Sequence, residues 1–365
     1  MLKIAFAADY DSAFMSGLAA ELRSEMSSRG HEILPACRPE EIPPDVDIVF
    51  NITGAASPRA NYLRARASNF ICTLAETAAP SADVKREAYT VLVKTMSNLL
   101  AYAVHRPGTA TSYLVTPELG FREIPHGPRH ARRIAEQVLV TADVRFVMDN
   151  ELVEDLPPEL HGGDAVTQAM ARVGGKLDRV GLLPSVLPLE EILSERERRL
   201  LQKLFGVKQF SYGNISARRD RASFWMSGRG VNKADLRVVG RDILLVTGFD
   251  EERLRMRVSV PPGADPASRV SVDAVEHFKI YREFPRVGAI IHVHGWLPGI
   301  DSTLQSYPCG SLELANEVLE LVRRAPDPDN AVVGLRNHGV TATGPDLDTI
   351  FERIGSCLER QVPMV

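Results

Sequence analysis

Apolar residues recur along this chain in short blocks of two spacings. Residues 3–8 (KIAFAA) form an unbroken apolar run of strand length. Beyond it Phe14, Leu18 and Leu22 lie four apart, the spacing of one helix face. Asp11 or Ser12 stands where a cap is needed, and Gly30 closes the pattern. HEILPA (31–36) and VDIVFNITG (46–54) read as further strands. A long apolar helix is expected near 84–104, strands at SYLVT (112–116) and VRFVM (144–148), and a helix from about 164 to 182. This order predicts a Rossmann-like α/β domain over residues 1–183. GLLPSVLPLEE (181–191), with two prolines between helical patterns, reads as the linker.

The second half opens with a polar helix over 190–205, followed by SYGNISARR, a turn leading into strands. Helix 272–283 precedes the strand VGAIIHVH, and helix 311–323 precedes the strand-and-turn unit AVVGLRNHGVTATG. The last pattern, PDLDTIFERIGSCLER, puts Leu347, Ile350, Phe351, Ile354 and Leu358 on one face. Alternation of this kind predicts a three-layer α/β/α domain over 189–365.

Composition narrows the classes. At 365 residues the chain suits two domains. Its 43 basic and 47 acidic residues leave a net charge of −4, which excludes a nucleic-acid partner bound through bulk basic charge. No apolar run reaches the ~18 residues that span a bilayer, so no membrane partner is expected. MLKIAFAADYDS lacks the pattern of a signal peptide. Cys37, Cys72, Cys309 and Cys357 lie far apart without CxxC spacing, so free thiols and a cytoplasmic location are expected.

The histidines carry the chemistry. His31, His105, His126, His130 and His161 are scattered and read as surface or core-edge residues. His292 and His294 differ: two apart at the end of an apolar strand, they leave the same face. Neutral imidazoles so placed offer adjacent ligands to Zn²⁺ or Fe²⁺. Asp273 and His277 share one helix face at i and i+4, and His338 stands in the Gly-terminated turn RNHGV. Three histidines and a carboxylate, each near an element end, make the donor set of an open catalytic metal site.

The order GNIS (213–216), SGRG (227–230), SxDxxxH (271–277), HVH (292–294) and NHG (337–339) resembles the class II aldolase/adducin family, which includes fuculose-phosphate aldolase and ribulose-phosphate 4-epimerase. The resemblance spans about residues 189 to 355. It implies that His292, His294 and His338 hold a divalent cation, usually zinc, with Fe²⁺, Mn²⁺ or Co²⁺ as other options. Asp273 is implied as a fourth ligand or as the catalytic base. Aldolases carry Glu there and 4-epimerases Asp. Asn214, Arg229, Gly230 and Ser271 are implied to bind the anionic end of the substrate, phosphorylated or carboxylated. Two departures stand out: Val272 replaces a second Ser, and Arg229 replaces a small or hydroxyl residue. The activity implied is a metal-dependent lyase (aldolase) in carbohydrate metabolism, cleaving a small hydroxy-carbonyl, sugar-phosphate-like substrate through a metal-stabilised enediolate. A 4-epimerase, an Fe(II) oxygenase and a non-catalytic adducin-like binding protein are the alternatives. The segment after HVH runs only from Gly295 to Gly310, and of Asp301, Tyr307 and Glu313, Tyr307 is the expected proton donor. The family further implies a homo-oligomer, with a tetramer favoured.

The first half resembles no family. GxGxxG and GxxxxGK are absent. NITGAASPR (51–59) reads as an ordinary turn, with Asn51, Thr53, Gly54 and Ser57 as candidates to cradle an anion in the alternative. HGPRHARR (126–133) reads as a solvated helix start.

Overall fold

A computed structural model describes residues 1–60, 69–107, 109–116, 120–183, 193–199 and 213–364. The chain separates into two compact units, one of Met1–Asp143 with Glu190–Phe205 and Met364–Val365, the other of Val144–Leu189 with Gly206–Pro363. No described helix is long and apolar enough to cross a membrane, and all four cysteines are free.

The first unit is built on a seven-stranded sheet in the order β2-β1-β3-β4-β5-β6-β7. Strands β1 (Lys3–Ala8), β2 (Glu32–Ile33), β3 (Ile48–Ile52), β4 (Phe70–Thr77) and β5 (Leu99–Arg106) run parallel. Antiparallel β6 (Thr109–Val115) and β7 (Phe121–Pro125) extend it. Helix α1 (Ala13–Ser28) begins where the sequence places it, with Ser12 Oγ accepting from Met15 N. Its Leu18, Leu22 and Met26 pack with α3 (His130–Ala142) over Ile4, Phe6 and Phe50.

Two expectations for this stretch fail on local grounds. The helix expected over 84–104 is α2 (Val84–Thr95) only. Met96 takes a left-handed conformation (φ 55°), and the following LLAYAVHR becomes β5, paired on both edges. That segment is as apolar as expected, but its period is two rather than 3.6. HEILPA contributes only the two residues of β2. In NITGAASPR two of the polar side chains are engaged within the unit: Asn51 Nδ2 donates to Thr73 Oγ1 (3.0 Å) and Thr53 Oγ1 accepts from Arg59 N (3.1 Å). That loop is a braced turn.

The second unit carries an eight-stranded sheet in the order β14-β15-β13-β9-β10-β11-β12-β8. Its strands are β8 (Asp149–Val153), β9 (Asn214–Arg218), β10 (Phe224–Ser227), β11 (Ile243–Asp250), β12 (Arg255–Ser259), β13 (Ala289–Val293), β14 (Val332–Leu335) and β15 (Gly339–Gly344). All neighbours are antiparallel except β12 and β8. Strand alternation sends Met226, Leu244 and Ile290 to one face, under α5 (Ala274–Glu283) and α6 (Leu312–Arg324). It sends Trp225, Leu245, Ile291 and Val293 to the other, under α4 (Ala165–Arg179) and α7 (Leu347–Ile354). The three-layer α/β/α arrangement is therefore present.

The boundary lies elsewhere than the prolines suggested. Residues 144–183 belong to the second unit rather than the first, because β8 adds to β12 and α4 packs on the sheet. VRFVM is not a strand: Val147 is buried, and the segment is tied down by Val147 N donating to Gly310 O (2.8 Å). The strand begins two residues later, at Asp149. The final helix is shorter than its pattern, ending at Ile354. The expected helix over 190–205 and most of the expected linker lie outside the described residues.

Candidate metal centre

His292 stands in β13, opposite Thr341 of β15 and Asn214 of β9. Its parity with Ile290 turns it toward α5. His294 follows just beyond the strand end. His338 comes from the β14–β15 turn, where Asn337 holds a left-handed conformation (φ 59°) and His338 N donates to Leu335 O (3.0 Å). Gly339 serves the turn by its size, because a Cβ there would lie 2.2 Å from Val293 O. Gly339→Ala should therefore displace the turn that aims His338, at a cost of about 1–3 kcal/mol. A lower Tm together with weakened cation binding would show it, and a variant equal to the parent in both would refute it.

One ligand atom from each of His292, His294 and His338 lies within 4.8 Å of the others. The Nε2 atoms of His338 and His294 are 3.0 Å apart. His292 Nδ1 lies 3.1 Å from Val340 O, which can only accept, so Nδ1 carries the hydrogen and Nε2 presents a lone pair. That Nε2 is buried without a hydrogen-bond partner among the described residues. Burial lowers the pKa of all three rings, which keeps them in the neutral form a cation needs. An orphaned lone pair facing two more imidazole nitrogens fits a divalent transition ion.

Asp273 caps α5 by position and is 4% exposed. Its Oδ2 accepts from Asn214 Nδ2 (2.7 Å), while its Oδ1 has no partner among the described residues. Ser271 N donates to Ser227 O (3.1 Å), and Arg229 N to Arg269 O (2.8 Å), which joins the two segments expected to bind an anion edge to edge. Gly230 has φ 67°, the conformation its turn requires. Thus Asn214 and Asp273 are brought together beside His292, with Arg229, Gly230 and Ser271 on adjoining turns.

Tyr307, the expected proton donor, is partly buried on the α5–α6 side of the sheet. Burial together with the nearby Glu317 and Glu313 raises its pKa. Glu313 itself bonds Arg145, N to Oε2 and Nε to Oε1, both at 2.9 Å. From the same segment Cys309 reaches the triad, with Sγ 3.2 Å from His338 Nε2.

Two more groups, Glu276 and Lys233, escaped the sequence reading. Glu276, one turn along α5 from Asp273, is 2% exposed. It accepts from Thr341 Oγ1 (2.6 Å), and burial beside Asp273 raises its pKa to about 8. Lys233 is 3% exposed, and burial lowers its pKa to about 7 against the pull of Asp273. Behind the triad, His277 Nδ1 lies 2.7 Å from Ser216 Oγ, which in turn lies 2.9 Å from Tyr281 OH. Burial takes His277 down to about 3, so it is a neutral strut. Only the i+3 spacing of Glu276 from Asp273 hinted at any of these.

Residues 198–296 match the family model of the class II aldolase and adducin N-terminal domain. Solved structures that match the chain include YgbL from Klebsiella pneumoniae, described as a putative aldolase/epimerase/decarboxylase. Identity is 16% over 52% of this chain and 84% of that one, with TM-score 0.34. L-fuculose-1-phosphate aldolase from Thermus thermophilus matches at 20% identity over 53% of this chain and 87% of that one, with TM-score 0.32. Likeness at this level says nothing of substrate. No curated protein matches the chain.

Proposed function

We propose that the second unit is a divalent-metal-dependent lyase of the class II aldolase type, acting on a small anionic hydroxy-carbonyl compound. The convergence of three neutral imidazoles beside a buried carboxylate carries this reading. A divalent cation on His292, His294 and His338, zinc by the usual preference of such donors, supplies Lewis-acid polarisation of a carbonyl. Asp273 is the group that takes and returns the proton. Asn214 pins one of its oxygens, leaving Oδ1 to face the reacting carbon. Burial of His292, His338, Asp273 and Asn214 keeps water from them and strengthens their charge interactions. Arg229, Gly230 and Ser271 hold the anionic end, Arg229 as a planar fork for a carboxylate or phosphate. A homo-oligomer, expected to be a tetramer, is part of the proposal.

Metal analysis of protein purified without chelator, followed by cleavage and epimerisation assays on a panel of ketose phosphates, tests it. One transition ion per chain with retro-aldol cleavage supports the reading, and a metal-free chain without either activity overturns it. Asn214→Ala and Arg229→Ala should raise KM for a charged substrate about tenfold or more, and less for an uncharged analogue. Equal effects on both would remove these residues from the anion site.

A further inference from the structure

The segment after the strand histidines returns a sulfur to the triad. Cys309 Sγ lies 3.2 Å from His338 Nε2 and 3.8 Å from its Nδ1, and the same Nε2 lies 3.0 Å from His294 Nε2. The turn that carries Cys309 is pinned from both sides. Ser311 caps α6, its Oγ accepting from Leu314 N (3.2 Å) and donating to Pro308 O (2.8 Å). Gly310 holds φ 74°, and its carbonyl accepts from Val147 N (2.8 Å). A Cβ on Gly310 would lie 2.9 Å from Val272 Cβ, so Val272, the residue before Asp273, seats this turn. A tetrahedral ion with bonds of roughly 2.0–2.1 Å to nitrogen and roughly 2.3 Å to sulfur holds those two atoms about 3.5 Å apart. The sulfur therefore stands near the spacing of a neighbouring ligand to His338. His292 Nε2 points to an ion here independently of the sulfur, because that ring is 1% exposed and the nitrogen has no hydrogen-bond partner among the described residues. The mutually close set consists of the three histidine nitrogens, and the sulfur borders it at His338. It is placed to add to the imidazoles, by rotation about its χ1, and not to replace one of them.

Resting on the metal reading above, we infer that Cys309 is a fourth ligand of the cation held by His292, His294 and His338. On binding, the S–H bond breaks, the proton leaves to solvent and the sulfur's electron pair goes to the ion. A thiolate is a softer donor than a carboxylate or water, so the site prefers Zn²⁺ or Co²⁺ to Mn²⁺ or Mg²⁺. A sulfur in the fourth position also closes the resting site to water. Substrate entry then becomes a ligand exchange or an expansion to five ligands.

Cobalt substitution of the full chain reads the sulfur directly, because Co²⁺ bonded to a thiolate absorbs in the near ultraviolet by sulfur-to-metal charge transfer. The loaded parent should show that band. Cys309→Ser should take up cobalt without it, and Cys357→Ser, whose exposed thiol lies 3.8 Å from Ser356 Oγ, should keep it. The ratio of Zn²⁺ to Mn²⁺ affinity should fall about tenfold or more in Cys309→Ser. A second measurement needs no variant: alkylation of the loaded and the stripped parent, followed by peptide mass spectrometry, should find Cys309 protected by the ion. A loaded parent without the band overturns the inference, and so does a band that survives in Cys309→Ser. If Cys309→Ser does not fold, equal labelling of Cys309 with and without the ion overturns it. A chain that takes up no cobalt overturns the metal reading itself. A chain that binds cobalt through nitrogen and oxygen alone overturns only the role of Cys309.

Discussion

Replacing His294 by Ala should strip the second unit of its cation and abolish turnover. His294 supplies the nitrogen 3.0 Å from His338 Nε2, so its loss leaves two imidazoles and an exposed gap where the third stood. A two-imidazole site cannot fix an open coordination geometry. Even residues one bond removed from a metal change its affinity about 10–100-fold, so removing a direct ligand should exceed that range. Metal content after dialysis should fall to near zero, with kcat/KM lost in proportion. His161→Ala is the control: that ring bonds only Leu156 O (2.9 Å) and its loss should leave metal content alone. Full occupancy in His294→Ala would remove the triad assignment and the proposed activity with it.

The triad was legible because each of its parts obeys a local rule. A period of two puts His292 and His294 on one face of a strand, and the hairpin signal around NHG returns His338 beside them. Asp273 was reachable from its helix spacing with His277, but Asn214 only through the order of the family motifs, since 59 residues separate the two and only the fold brings them to 2.7 Å. Lys233 and Cys309 carried no signal at all. A lysine in a turn is a surface residue by default, and nothing local tells that α4 will close over it at Gly174. Tyr307 was picked out by its place near the motif in sequence, and its side chain packs on the α5–α6 side of the core. The helix expected over 84–104 failed for want of a local stop signal. Val84–Thr95 and Leu99–Arg106 are alike in apolar content, and one left-handed residue, Met96, separates helix from strand.

The position of the domain boundary leads to the second large expected effect. A chain beginning near Pro188, where the prolines put the division, should be insoluble, whereas one beginning at Val144 should fold and take up a cation. The shorter chain lacks α4, whose Met170, Val173 and Leu177 are each 0% exposed against Ile215, Trp225 and Ile291. Each such side chain contributes about 1.5–3 kcal/mol on burial, so these three alone approach the 5–15 kcal/mol, roughly, that holds a typical domain folded. The same deletion removes Asp164, whose Oδ2 accepts from Trp225 Nε1 (2.9 Å), and so leaves a buried indole donor unpaired. It also bares the edge of β12, a row of free backbone groups inviting association with other chains. Soluble yield, a cooperative thermal transition and metal content measured on both chains decide the matter. A soluble, metal-binding chain from Pro188 would show that residues 144–187 are packed against the second unit without being needed to hold it together.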